Sequence, residues 1–194
     1  MLHIERLSGE ALAPFIDSIA QLRIDIFRDF PYLYEGDMEY ERCYLQTYLN
    51  SQQAAVVLVR ENDQVVGAST CLPLQDEEEP FKLPLSELGY DTNKIFYLAE
   101  SVLQQQYRGN GLGVKFFQER ESYARELGNY EHTCFCAVQR AKQHPMRPSN
   151  YTPLHDFWRK RGYSPLDAHA KYTWLDVGDA YATEKQLQFW IKAL

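Results

Sequence analysis

No apolar run in these 194 residues approaches the ~20 needed to cross a bilayer. The first ten residues, MLHIERLSGE, are already charged and lack the apolar core of a secretory signal. A cytoplasmic location and no membrane partner are the expectation. Basic residues are short: 20 Lys and Arg stand against 27 Asp and Glu, a net charge of −7. That balance argues against nucleic acid as a partner and tolerates a cationic one. Cysteine is sparse, at Cys43, Cys71, Cys134 and Cys136, which suits reduced thiols. Cys134 and Cys136 share a face of a predicted strand, but the two further ligands a metal would want are not evident, so no metal is expected. There is no Gly-x-Ser-x-Gly elbow, and His132, His144, His155 and His169 lack the spacing of a triad or metal cluster. Repeats and low-complexity stretches are absent too.

Hydrophobic residues make up 45%, as in an ordinary globular domain. The chain is organised around Ile95 to Gly128. Ile95 to Leu103 reads as a buried strand. Arg108-Gly109-Asn110-Gly111-Leu112-Gly113 follows as a glycine-rich turn. The next segment reads as a helix with Phe116, Phe117, Tyr123, Ala124 and Leu127 near one face and Gly128 as its stop. Strand, glycine turn and helix N-terminus make an anion site, because the first helical N–H groups are unpaired and glycine lets a phosphate approach the backbone. The nucleotide P-loop is excluded, since no Lys-Ser or Lys-Thr occurs. The dinucleotide fingerprint fails because Val114 stands where its third glycine belongs.

Elsewhere, Leu2 to Leu7 alternates as a strand, and Ala11 to Phe30 has the three- and four-residue steps of one long helix. The turn Pro31 to Asp37, PYLYEGD, precedes a second helix with Asp37 as N-cap. In it Tyr44 and Tyr48 read as core. Ala54 to Arg60 and Val65 to Leu72 read as a hairpin. Gln75 to Lys94 reads as an acidic inserted loop with one short helix at Leu85 to Leu88, and Asp76 to Glu79 as a solvated turn. Glu131 to Val138 is a strand that a right-handed crossover pairs parallel with Ile95 to Leu103. A helix from Thr152 to Gly162 and an antiparallel pair, Tyr163 to Leu166 with Ala170 to Val177, follow. Thr183-Glu184-Lys185-Gln186 forms a capping box opening a terminal amphipathic helix that carries Leu187, Trp190, Ile191 and Leu194. The expectation is one catalytic domain over 1–177, with the helix of 178–194 packed on it.

Gln106-Tyr107-Arg108-Gly109-Asn110-Gly111, a Gln-x-x-Gly-x-Gly turn after a strand, resembles the acyl-CoA-binding motif of the GCN5-related N-acetyltransferases. Phe157 to Tyr163 resembles the helix-to-strand signature of the same family. The resemblance covers roughly positions 1 to 177. It implies an α/β (α+β) fold: a mixed, mostly antiparallel sheet with a central parallel strand pair and flanking helices. It also implies acetyl-CoA as acyl-donor co-substrate. Backbone groups of Val102 and Leu103 would pair with the pantetheine arm, and amides of Arg108, Gly109, Asn110, Gly111, Leu112 and Gly113 would hold the pyrophosphate.

Acyl transfer to an amine needs a base, and Glu100 is the candidate, a carboxylate inside the apolar stretch LAESVL. Its other reading is a surface carboxylate or a partner of an arginine such as Arg28. Where the family often has an acid tyrosine this chain has Trp158, whose indole cannot protonate a thiolate, and Tyr151 is the candidate substitute. Arg140, Lys142 and Arg147 either meet the ribose phosphate or are solvated. Tyr32, Tyr34 and Glu35 in the PYLYEGD turn are the candidate acceptor contacts. A cationic acceptor is expected to enter between that turn and the acidic insertion. The reading is a cytoplasmic N-acetyltransferase acting on the primary amine of a small molecule or peptide, with a homodimer compatible. The rival is an acyl-CoA-binding regulatory domain without turnover, favoured by Trp158.

Overall fold

The computed structural model describes all residues, Met1–Leu194. Its strands are β1 (Leu2–Leu7), β2 (Ala55–Glu61), β3 (Gln64–Pro73), β4 (Ile95–Tyr97), β5 (Ser101–Leu103), β6 (His132–Val138), β7 (Ser164–Trp174) and β8 (Thr183–Ala193). They form one twisted sheet in the order β1-β2-β3-β4-β6-β8-β7, with β5 pairing only with β3. Every pairing is antiparallel except β4 with β6. The helices are α1 (Ile16–Phe27), α2 (Met38–Asn50), α3 (Glu79–Glu87), α4 (Leu112–Leu127) and α5 (His155–Arg159).

The mixed sheet with one central parallel pair agrees with the fold expected from sequence. Apolar residues of α1 and α2, such as Ile19 and Leu45, share a core with Val56, Leu58, Phe189 and Ile191. Phe117 and Ala124 of α4 pack on Ala55, Phe96, Phe135 and Trp190 from the opposite face. Helices therefore cover both faces of the central strands, which explains their near-continuous apolar runs.

Several sequence expectations change. The terminal segment is not a helix but β8, an eleven-residue strand between β6 and β7. Of residues 178–194, Thr183–Ala193 are thus part of the sheet. Lys185, Leu187, Phe189 and Ile191 alternate with Gln186, Gln188 and Trp190, and a strand covered on both faces mimics helical spacing because residues of both parities are apolar. The single long strand expected over Ile95 to Leu103 is two short ones interrupted at Leu98-Ala99-Glu100. The long first helix divides into a 3-10 segment, Gly9–Phe15, which contains Pro14, and α1. The insertion is more ordered than expected: Pro80 falls at the start of α3 and Pro84 inside it. The helix expected from Thr152 is only α5, and the last antiparallel pair is replaced by β7, bulged between Pro165 and His169 against β8.

Candidate active site

The break at Leu98-Ala99-Glu100 creates the site. Leu98 N donates to Cys134 O at 2.7 Å, the last bond of the parallel pair. Beyond it, β5 swings onto β3 while β6 continues beside β8. The shift is anchored at Glu100, whose carbonyl accepts from Thr70 N, Ser69 Oγ and Arg120 Nη1 at 3.0, 3.0 and 3.2 Å. Arg120 is buried in α4 and also bonds Thr70 O and Ser101 Oγ. A wedge with a free strand edge on each side opens between β5 and β6.

Alternation decides which peptide groups face the wedge. Glu100 O and Gln104 N both bond β3, to Thr70 and Val66. In an antiparallel ladder residues of that parity point the same way, so Val102 turns its peptide groups to Ala68. Ser101 and Leu103 turn theirs to the wedge, and Leu103 O accepts from Arg108 Nε at 3.0 Å. Of the two residues expected to line the arm, Leu103 turns its peptide groups to the wedge, as Ser101 does, and Val102 turns its own to β3.

At the far end of β5, Gly109 and Gly111 adopt φ of +81° and +79°, the left-handed region that favours glycine. A Cβ built on either meets no protein atom within 4 Å. Gly111 caps α4 without any side-chain bond. Val114 and Lys115 turn their amides back to Gly111 O, which leaves those of Leu112 and Gly113 to an outside acceptor. These residues fit the pyrophosphate of an acyl-CoA.

At the wedge's base, Tyr97, Ala99, Glu100 and Cys136 form the floor of a cavity of about 350 Å³. Its walls are largely aromatic: Phe27, Tyr32, Tyr34, Tyr40, Tyr44, Phe81, Tyr172 and Trp174. All three candidate acceptor contacts, Tyr32, Tyr34 and Glu35, line it, as does Asp37. From the insertion comes Phe81, not the acids Asp76 to Glu79.

The Glu100 side chain is 9% exposed and is not unpaired. Its carboxylate meets the Arg23 guanidinium, and Arg28, the arginine suggested by sequence, pairs with Glu35 instead at 2.7 Å. Tyr44 donates to Glu100 at 3.1 Å. The same guanidinium bonds Glu41, which is fully buried and leaves Oε1 without a hydrogen-bond partner. Burial would lower the Arg23 pKa, but the charges led by Glu100 outweigh it and hold it well above its ordinary value. One arginine between two carboxylates leaves the pocket a net negative charge. Sequence reading missed Arg23 and Glu41, which pass as ordinary helix residues; only their 18-residue separation across two helices makes them a pair.

The turn that forms one wall is held in place. Arg140 donates to the carbonyls of Pro31 and Tyr32 at 2.8 and 2.6 Å and to both oxygens of Asp176. Lys185 adds a third bond to Asp176 at 3.0 Å. Burial pushes the Asp176 carboxyl up, but the hydrogen bonds from Arg140 and Lys185 prevail and hold it below its usual range. Arg140 is thus a clamp and not a solvated or ribose-phosphate contact. Arg147 stacks on Phe30 and Tyr151.

Tyr151 lies outside the cavity lining, edge-on to Phe30 at 4.7 Å. Burial raises its pKa, so it keeps its proton at neutral pH. Trp158 packs among Phe135, His155 and Trp190 with ring centroids 5.0 to 5.6 Å away. No group of three or more His, Cys, Asp or Glu is arranged to hold a metal, and no helix is long and apolar enough to cross a membrane.

Solved structures share this architecture. A GNAT-family acetyltransferase from Streptococcus pneumoniae is 16% identical, with all of both chains covered and a TM-score of 0.60. Ribosomal-protein-alanine N-acetyltransferase from Brucella melitensis is 15% identical, with 99% of each chain covered and a TM-score of 0.63. The structure of yncA from Salmonella typhimurium with its cofactor acetyl-CoA is 11% identical, with a TM-score of 0.59 over 97% of this chain and 92% of that one. At these identities the likeness is one of fold. No curated protein sequence matches the chain significantly. The sequence model of the acetyltransferase (GNAT) family matches residues 18–163. The chain belongs to the acetyltransferase (GNAT) family, which uses acetyl-CoA as co-substrate.

Proposed function

We propose that the protein transfers an acetyl group from acetyl-CoA to the primary amine of a small cationic molecule or peptide. The observation that carries this reading is the meeting of the strand wedge and the acidic, aromatic cavity at Glu100. Acetyl-CoA, when bound, supplies an activated acyl thioester. The Arg108 amide, expected among the phosphate contacts, already donates to Gln105 O at 3.1 Å, so the amides of Gly109 to Gly113 hold its phosphates, and the free edge at Ser101 and Leu103 receives its arm. Aromatic faces attract an ammonium by about 0.5–2 kcal/mol each, and the pocket's uncompensated carboxylate charge adds to that.

An ammonium must lose a proton before its nitrogen attacks. Glu100 accepts it, directly or through a water, and the Arg23 ion pair and the Tyr44 hydroxyl fix the carboxylate's direction. Tyr151 is the candidate donor to the departing thiolate. The packing of Trp158 in an aromatic cluster accounts for that side chain without any role in chemistry, which removes the reason to prefer a regulatory domain without turnover. Incubation with acetyl-CoA and a mixed metabolite and peptide library, read by mass spectrometry, tests the proposal. The expected product is a cationic amine gaining one acetyl group, matched by free coenzyme A. Binding of acetyl-CoA with no acetylated product would favour the regulatory reading.

A further inference from the structure

Most polar groups of the cavity wall are already bonded within the protein. Phe27 and Phe81 carry no polar side-chain atom. Tyr40 and Tyr172 bond each other through their hydroxyls at 2.7 Å, and Trp174 Nε1 donates to Tyr32 O at 3.0 Å. The Tyr97 hydroxyl meets Cys136 Sγ at 2.9 Å, and that of Tyr44 is spent on Glu100. What these side chains turn to the cavity is therefore ring surface. The charges are engaged in the same way. Glu35 pairs with Arg28, Asp37 Oδ1 caps α2 by accepting from Tyr40 N at 2.8 Å, and Glu41 and Glu100 share Arg23. The floor is left with one carboxylate charge beyond Arg23, which matches one ammonium.

Phe81 of α3 stands between Tyr97 on the floor and Tyr172 of β7, with ring centroids 5.6 Å from each. Phe81 and Tyr172 are only half-buried, so part of each ring stays open to a ligand. Arg23 already lies over Tyr44 and Phe27, at 4.3 and 5.2 Å, whereas no protein cation covers Phe81 or Tyr172. Another ring entering here completes edge-on or offset contacts at the spacing of about 4.5–7 Å that aromatic pairs prefer. A hydroxyl-rich body, such as an amino sugar, would bury groups with few partners. A second ammonium would lose its water against bare rings. An apolar cavity of about 150 Å³ takes one benzene. The roughly 350 Å³ available takes one ring and the short chain that carries its amine. We infer that the acceptor is an arylalkylamine, with its one ammonium at Glu100 and its aromatic ring against Phe81 and Tyr172. This rests on the acetyl-transfer reading above and narrows it. Phe81 and Tyr172 set specificity: they touch the acceptor's ring and not the reacting atoms.

The test is kcat/KM, by thiol release from acetyl-CoA, for 2-phenylethylamine, 2-cyclohexylethylamine and 1,6-diaminohexane. The parent should prefer the phenyl compound to the cyclohexyl one by about twofold or more, the share that ring–ring contact adds to apolar burial. It should prefer the phenyl compound to the diamine by about tenfold or more. In Phe81→Leu and Tyr172→Leu, each binding coenzyme A like the parent by calorimetry, the phenyl-to-cyclohexyl ratio should fall towards 1. Equal use of the phenyl and cyclohexyl compounds by the parent overturns the proposal, as does equal or better use of the diamine. So does the full phenyl preference surviving in both folded variants. The parent panel decides alone if neither variant folds. A parent that acetylates other cationic amines but none of these three defeats this proposal alone. A parent inactive on every amine defeats it together with the acetyl-transfer reading.

Discussion

Arg23 and Glu100 meet on the cavity floor with each side chain only 9% exposed. The candidate base is therefore held by an ion pair that itself rests on Glu41. Breaking such a buried arrangement by removing one partner typically costs about 3–5 kcal/mol, because the charges left behind lose their compensation. The catalytic candidate and the stability of the α1–α2 packing are thus coupled through one guanidinium, and a change at Arg23 touches both.

Gly111→Val should abolish coenzyme A binding and leave the fold intact. The position has φ of +79° and open space beside it, so the new side chain meets no protein atom. It would instead strain the turn by about 1–3 kcal/mol and stand in the way of a phosphate. Calorimetry with coenzyme A beside thermal melting checks this. A folded variant with parental affinity would show that the turn does not hold the phosphates.

Trp158→Phe should lower stability by about 1–3 kcal/mol while changing kcat little. The indole fills space between Phe135 and Trp190, both 5.0 Å away, and a benzene ring leaves part of it empty. Denaturant unfolding and steady-state kinetics measure the two effects. A large rate loss in a fully folded variant would put the indole at the reacting atoms.

Tyr34→Ala and Glu35→Gln should raise the KM of the acceptor several-fold and leave that of acetyl-CoA nearly unchanged, with Tyr34→Phe close to the parent. Both residues line the cavity, and Glu35 is tied to Arg28 on its rim. Unchanged acceptor kinetics in all of these variants, or preference for an anionic acceptor, would remove this wall from the acceptor site.

Arg140→Ala should cost about 3 kcal/mol and raise the acceptor KM, because it frees the Pro31 and Tyr32 carbonyls and leaves Asp176 with Lys185 alone. The folded-state pKa of Asp176 lies below its unfolded value. The stability it contributes is therefore present above about pH 4 and is lost as pH falls through the folded value. The stability gap between parent and variant, measured by denaturant titration, should narrow as pH falls below about 4, down to the share carried by the Pro31 and Tyr32 carbonyl bonds. A constant gap across that range would mean the Arg140 contribution does not run through the Asp176 charge.

The glycine turn, α4 and the parallel pair were legible because each is local: a φ that favours glycine, a helical stripe, an apolar run. What escaped is non-local or two-sided. The capping-box pattern at Thr183 to Gln186 has a local reading, yet burial between β6 and β7 overrides it. Glu100 stood out because it interrupts apolar residues, whereas Arg23 and Glu41 sit in helices where charges are common. Glu77, buried in the fold, was hidden inside an acidic run whose other members are solvated or bond elsewhere, as Asp76 does with Ser51. Charge patterns along the chain carry no sign of which single acid the fold turns inward.

The central claim is that the cavity accepts a cationic amine for acetylation at Glu100. Thiol release from acetyl-CoA, measured across matched cationic, neutral and anionic amines in the parent and in Glu100→Gln, tests it most directly. Turnover confined to cationic primary amines, with kcat lowered by about 100-fold or more in a Glu100→Gln variant that still binds coenzyme A, is the predicted result. Turnover that ignores acceptor charge, or that survives unchanged in that variant, would contradict it.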